Sequence, residues 1–113
     1  MKRVETLIRP EQLEAANKAL RDAGVSGVTA TEVLTVTPEQ GETIRYRGVE
    51  YERGLVARVK LEVVVHDDLV ERVITAVLRT ARTGYPDDGE ILVVPIENAV
   101  RIRTYEIAEA AIS

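Results

Sequence analysis

An α+β fold, with two βαβ halves and both helices on one face of an antiparallel sheet, is what the sequence predicts. Three observations carry that expectation. Leu55 to His66 alternates apolar and polar residues as a half-buried strand does. Val70, Val73, Ile74, Val77, Leu78 and Ala81 recur at the spacing of one helix face. A strand, helix, strand order precedes the long unpatterned segment after Thr37 and occurs again beyond it.

Each element has a local reason. Val4, Thr6 and Ile8 alternate with Arg3, Glu5 and Leu7 in a first strand, which Arg9 and Pro10 end because proline lacks a donor and presets a helix start. Leu13, Ala16, Leu20 and Ala23 mark a helix over residues 11–23, and Gly24 supplies a left-handed stop. Gly27 to Val36 is Val- and Thr-rich and predicts a second strand with Val28, Ala30, Leu34 and Val36 on one face. Pro38 to Gly54 has three glycines, many charges, Tyr46 and Tyr51 and no apolar period, so a long functional or disordered loop is expected. In Leu55 to His66, Arg58, Lys60 and Glu62 share the face opposite Val59, Leu61 and Val63. Asp68 to Glu71 has the pattern of a capping box for the second helix, which is expected to stop near Thr83 and Gly84. Tyr85 to Gly89 reads as a turn, Ile91 to Val94 as a short strand, and Val100 to Arg103 as a last extended piece before a polar, Ala-rich tail from Tyr105. The two halves give a ferredoxin-like arrangement, which hosts many functions and decides none.

Composition bounds the function. The 113 residues fit one domain, 1–113, with 45% apolar and 30% charged residues. There is no Cys, Phe or Trp, so the core is aliphatic and neither a disulfide framework nor a thiolate metal site is available. The net charge of −4 argues against nucleic acid as a partner. No apolar run approaches the roughly 20 residues that span a bilayer, and the charged start is no signal peptide, so a cytoplasmic location is expected. No nucleophile and base pair, metal-ligand spacing or glycine-rich phosphate loop of enzymes appears, and the chain is expected not to be an enzyme. His66, the one histidine, is taken as structural or exposed. Arg101 and Arg103, two apart on an extended piece, point to one face; alone they fit an exposed edge pair more readily than an anion site.

Several fragments then fall in one order: Thr31-Glu32-Val33, Tyr46-Arg47-Gly48, Glu50-Tyr51, Asp67-Asp68-Leu69-Val70, Thr80 to Gly84, Asp88-Gly89 and Arg101 to Thr104. On them the chain resembles the PII signal-transduction family, from Lys2 to about Thr104. The resemblance implies a homotrimer with adenine-nucleotide clefts between subunits. It implies a T-loop, about Thr37 to Leu55, that docks on targets such as an ammonium transporter or a metabolic enzyme, the only route to a membrane surface. A second nucleotide loop spans about Arg82 to Glu90, and the C-terminal tail covers residues 105–113. Thr29, Glu62 and Val64 match adenine contacts. Asp88 and Gly89 match the end of a loop that wraps phosphates with backbone donors. Arg101 and Arg103 match phosphate contacts, and Tyr51 matches a tyrosine that is uridylylated in some lineages.

The departures from the family pattern lie on the ligand side. Glu39 stands for a glutamine that helps coordinate magnesium and 2-oxoglutarate, and remains the one candidate metal ligand, through Mg. Arg58 stands for a lysine that pairs with the 2-oxoglutarate carboxylate. Pro38, Tyr85 and Glu90 remove three cations, while Glu39, Asp87 and Glu90 add three anions. Thr35 and Thr37 replace glycines at the base of the loop. The chain is therefore expected to be a divergent regulator that favours ADP or AMP over ATP and disfavours 2-oxoglutarate. The alternatives are a sensor of another small anion such as bicarbonate, a weak ATP hydrolase using Glu39 or Glu90, and a ligand-free trimer that binds its target constitutively.

Overall fold

The computed structural model describes residues 1–36, 44–51 and 55–112. Thr37, Pro38 and Glu39, with the rest of 37–43 and 52–54, lie outside the described residues. Four strands form one antiparallel sheet: β1 (Lys2–Ile8), β2 (Thr29–Val36), β5 (Leu55–Val65) and β6 (Ile91–Pro95), in the order β2-β5-β1-β6. Helices α1 (Leu13–Asp22) and α2 (Val70–Ala81) pack on each other and on one face of this sheet. This is the ferredoxin-like arrangement expected from the order of elements.

Residue parity decides which face is covered. Val4 and Ile8 of β1 and Val59, Leu61, Val63 and Val65 of β5 are buried against Ala16, Leu20, Val73, Ala76 and Val77 of the helices. Leu20 and Val73 are the largest fully buried side chains, and each such burial contributes about 1.5–3 kcal/mol. Thr6 is the buried polar residue of β1, and its hydroxyl donates to the Glu90 carbonyl at 3.0 Å. That bond fastens the 82–90 loop to the middle of the sheet.

The first helix begins as a 3-10 turn over Pro10–Gln12, where the Gln12 side chain accepts from the Arg9 N–H at 3.0 Å and donates to the Ala81 carbonyl at 3.2 Å. One side chain thus ties the end of β1 to the end of α2. Gly24, at φ +102°, ends α1 in the left-handed conformation, and the next amide, Val25, donates back to Leu20. The start of α2 differs from expectation. A 3-10 turn, Asp67–Leu69, leads into the helix and no side chain caps it, so Asp68 to Glu71 does not act as a capping box. The helix stops at Ala81, and Leu78, expected in its apolar stripe, is 49% exposed because Ala76 faces the core instead.

The segment expected to lack regular structure holds a β-hairpin. Strands β3 (Ile44–Tyr46) and β4 (Val49–Tyr51) pair antiparallel across Arg47 and Gly48, at φ +52° and +77°. Positive φ at both central residues defines the two-residue turn whose twist matches paired strands.

Candidate functional site

The uncovered face of the sheet carries the first group of predicted site residues. Thr29 pairs in register with Glu62, Glu62 with Glu5, and Glu5 with Leu92, which makes one row across all four strands. Val64, two residues along β5 on the same face, is 39% exposed. Glu62 belongs to a charge network in which Arg3 Nε donates to Glu5 at 3.1 Å and Lys60 Nζ lies 3.8 Å from Glu5 and 3.7 Å from Glu62. The Arg3 contact to Glu62 is 4.0 Å. These Glu62 contacts exceed hydrogen-bond length, so its oxygens keep acceptor capacity for a ligand. Thr29, Glu62 and Val64 are therefore brought together.

The second group lies on the 82–90 loop, where the carboxylates of Asp87 and Asp88 are both engaged. Asp88 accepts from the Thr83 hydroxyl at 2.6 Å, the Thr83 amide at 2.9 Å and the Gly84 amide at 2.8 Å. Arg9 Nη1 donates to it at 2.9 Å. These donors, the Thr83 hydroxyl first and the Arg9 guanidinium next, hold the Asp88 carboxyl well below the usual 3.8. The bond to Asp88 in turn raises Arg9 above its ordinary value. Two backbone donors of this loop thus face its own Asp88. Asp87 pairs with Arg9 Nη2 at 2.8 Å and with Arg58 Nη2 at 3.0 Å. Glu90 and Gly89 line a groove of about 320 Å³ with Leu7, Lys60, Glu5 and Leu92. Among the described residues this groove has two carboxylates against one ammonium.

The third group differs from expectation. Val100 to Arg103 is not a strand. Val100 makes a single bridge to Ile107, and residues 101–104 turn back, with the Arg101 amide donating to Glu106 and the Tyr105 amide to Arg101. Arg101 and Arg103 are therefore not held side by side by strand geometry. Arg101 donates from Nε and Nη2 to the Ala111 carbonyl at 3.3 and 3.2 Å and approaches Glu106 at 3.4 Å. Arg103 is exposed beside Ile102, which is 94% exposed. The tail then folds back as a 3-10 turn, Ala108–Ile112, where Glu109 meets the His66 ring at 2.9 Å and lies 3.7 Å from the N-terminal ammonium. That ammonium also bonds Asp67 at 2.8 Å, which holds the Asp67 carboxyl below its usual value.

Tyr51 closes β4 at the base of the hairpin. Among the described residues no group of His, Asp and Glu is placed to hold a metal ion, and no helix is long and apolar enough to cross a membrane. Sequence reasoning passed over Arg9, whose signal was only a cation at the end of a strand. It also treated Arg58 and Asp87 separately, where the fold joins them.

Comparison with known proteins gives one consistent result. The family model "Nitrogen regulatory protein P-II" matches residues 1–106. A protein of that name from Haemophilus influenzae is 46% identical over 112 residues, covering 99% of this chain and 100% of the relative. One from Azospirillum brasilense is 44% identical over 106 residues, 94% and 95% of the two chains. "Nitrogen regulatory protein P-II 1" from Escherichia coli K12 is 40% identical over 112 residues, again 99% and 100%. With its βαβ-βαβ fold and an identity of this size along nearly its whole length, the chain belongs to the P-II family of nitrogen regulatory, signal-transducing proteins, which are regulators and not enzymes.

Proposed function

We propose that this chain works as a homotrimer that binds an adenine nucleotide between subunits and passes the bound state to a target protein through residues 37–55. The row formed by Thr29 and Glu62, with Val64 exposed beside it, is the observation that carries this reading. A hydroxyl, a carboxylate with free acceptor capacity and an apolar surface match what an adenine ring needs: partners for its amino edge and a flat apolar contact. The uncovered sheet face, with Leu7, Val64 and Leu92 exposed on it, offers apolar surface for association of subunits. Arg103, exposed on its turn, is free in direction to reach a neighbouring subunit's phosphates.

The phosphate end favours a short phosphate chain. Asp88 already takes the Thr83 and Gly84 amides, and Glu90 places a carboxylate in the groove beside Gly89. Each added phosphate charge meets this field at close range, where the effective dielectric is well below that of water. ADP or AMP is therefore the preferred ligand. Glu39 supplies a carboxylate for magnesium, and 2-oxoglutarate is disfavoured. The ligand acts by shifting the population of target-binding states of the 37–55 segment. The target is a transporter or enzyme of nitrogen or carbon metabolism met in the cytoplasm, and Tyr51 is the candidate for covalent modification.

Titration calorimetry with AMP, ADP and ATP, each with and without magnesium and 2-oxoglutarate, tests the reading. Saturable ADP or AMP binding supports it. Tight ATP binding strengthened by 2-oxoglutarate contradicts it.

A further inference from the structure

Two carboxylates face each other on the uncovered side of the sheet. Glu5 on β1 and Glu62 on β5 are directly opposite in register, and like charges so placed destabilise a strand pair. Two cations on the same face offset the repulsion. Arg3 Nε donates to Glu5 Oε2 at 3.1 Å, and Lys60 Nζ lies 3.8 Å from that same oxygen and 3.7 Å from Glu62 Oε1. Glu5, 15% exposed, is the more enclosed carboxylate and takes the Arg3 bond. Glu62 is 28% exposed and, among the described residues, accepts no hydrogen bond.

Lys60 is the cation that the two carboxylates share. Arg3 is committed to Glu5, and its distance to Glu62 Oε2 is 4.0 Å. An ammonium is a compact charge on a flexible stem, so it attracts both carboxylates without saturating either. Its field keeps Glu62 in the row with Thr29 while the Glu62 oxygens stay open. With Lys60 removed, Glu62 would face Glu5 while the remaining cation stayed bonded to Glu5. Turning the Glu62 side chain out of the row is then the least costly relief of that repulsion.

We propose that Lys60 is a positioning residue for base choice: balanced between Glu5 and Glu62, its ammonium keeps the Glu62 carboxylate aimed as an acceptor for the amino group of an adenine lying beside Thr29 and Val64. Lys60 thereby sets the preference for adenine over a base that presents a carbonyl at that edge. The inference deepens the nucleotide reading above and rests on it. Lys60 also borders the groove formed with Gly89, Glu90 and Leu92, so its charge reaches phosphates as well. Comparing two bases that carry the same diphosphate cancels that second effect.

The test is the ratio of the dissociation constants of inosine diphosphate and ADP, measured by calorimetry on the full chain. Hypoxanthine carries a carbonyl where adenine carries its amino group, so it meets the Glu62 carboxylate with an acceptor. A hydrogen bond to a charged acceptor corresponds to about tenfold or more, and the native chain should prefer ADP by that factor. Lys60→Met keeps the aliphatic stem and removes the charge; it and Glu62→Gln should each bring the ratio to within about threefold of unity. Lys60→Arg keeps the charge and should retain at least part of the preference. Lys60→Met added to Glu62→Gln should lower the ratio no further than Glu62→Gln alone. The inference is overturned if both nucleotides bind and Lys60→Met leaves the ratio unchanged, if Lys60→Arg loses as much as Lys60→Met, or if Lys60→Met acts equally in the Glu62→Gln background. A native chain that binds neither nucleotide overturns the nucleotide reading, and this inference with it.

Discussion

Thr6→Val isolates the bond that fixes the 82–90 loop. Thr6 is 8% exposed, and its hydroxyl donates to the Glu90 carbonyl at 3.0 Å across 84 residues of sequence. Valine has nearly the same shape, so no cavity forms and the change removes only a donor. A typical net hydrogen bond contributes about 1 kcal/mol, and a carbonyl left without its partner costs about 1–3 kcal/mol. Glu90 lies at the surface, where water reaches the freed carbonyl, so a loss of about 1–2 kcal/mol is expected. With a urea slope of about 1–3 kcal/mol/M, the unfolding midpoint should fall by roughly 0.5–1 M at fixed protein concentration. Amide exchange of residues 88–90 should accelerate at the same time, because the loop opens locally before the sheet does. Thr6→Ser keeps the donor and should leave that exchange unchanged, even though it loses a buried methyl. An unchanged midpoint together with unchanged loop exchange in Thr6→Val would refute the reasoning.

Three further expectations concern the same loop and its neighbours. The carboxyls of Asp67 and Asp88 are both more acidic in the folded chain than the usual 3.8, so the stability they contribute is present above that value and is lost as pH falls through their folded values; a urea midpoint measured from pH 7 down to pH 2 should decline below about pH 4, less steeply in Asp88→Asn. Gly89→Ala should fold normally, because its new methyl would meet only the Leu7 carbonyl, at an ordinary 3.6 Å; a several-fold loss of ADP affinity would place Gly89 against the ligand, and unchanged affinity would remove it from the site. Glu90→Lys should raise ATP affinity relative to ADP by about tenfold, or about 1.4 kcal/mol, and an unchanged ratio would show that this carboxylate does not face the phosphates.

Much of the scaffold was legible because burial imposes a period. The strict alternation of β5 and the i, i+3, i+4 spacing of α2 follow from facing one core, and both appear where expected. Alternation reports exposure and says nothing of a partner, which is why Val100 to Arg103 misled: its pattern is strand-like, yet it makes one bridge, and Tyr105 at φ +62° turns the chain back. The hairpin was hidden by its shortness, three residues a side, and by Arg47 at a positive φ that usually draws Gly, Asn or Asp. Its signal was Arg47-Gly48 between Ile-x-Tyr and Val-x-Tyr. Of the expected site residues, Thr29, Glu62 and Val64 are named only through the family pattern; strand register pairs Thr29 with Glu62, and Val64 lies two residues along β5 on the same face. The joining of Arg58 to Asp87 was not legible, since charges 29 residues apart carry no mark of their pairing. Counted singly, Asp87 is one more anion on the 82–90 loop. In the fold it neutralises two arginines.

The ratio of the ATP and ADP dissociation constants, measured without magnesium so that no cation masks the phosphates, tests the central claim most directly. A phosphate end built from Glu90 and a loop whose amides already face Asp88 predicts that ATP binds more weakly than ADP, by about tenfold for one further phosphate charge. ATP binding as tightly as ADP, or more tightly, would contradict the account.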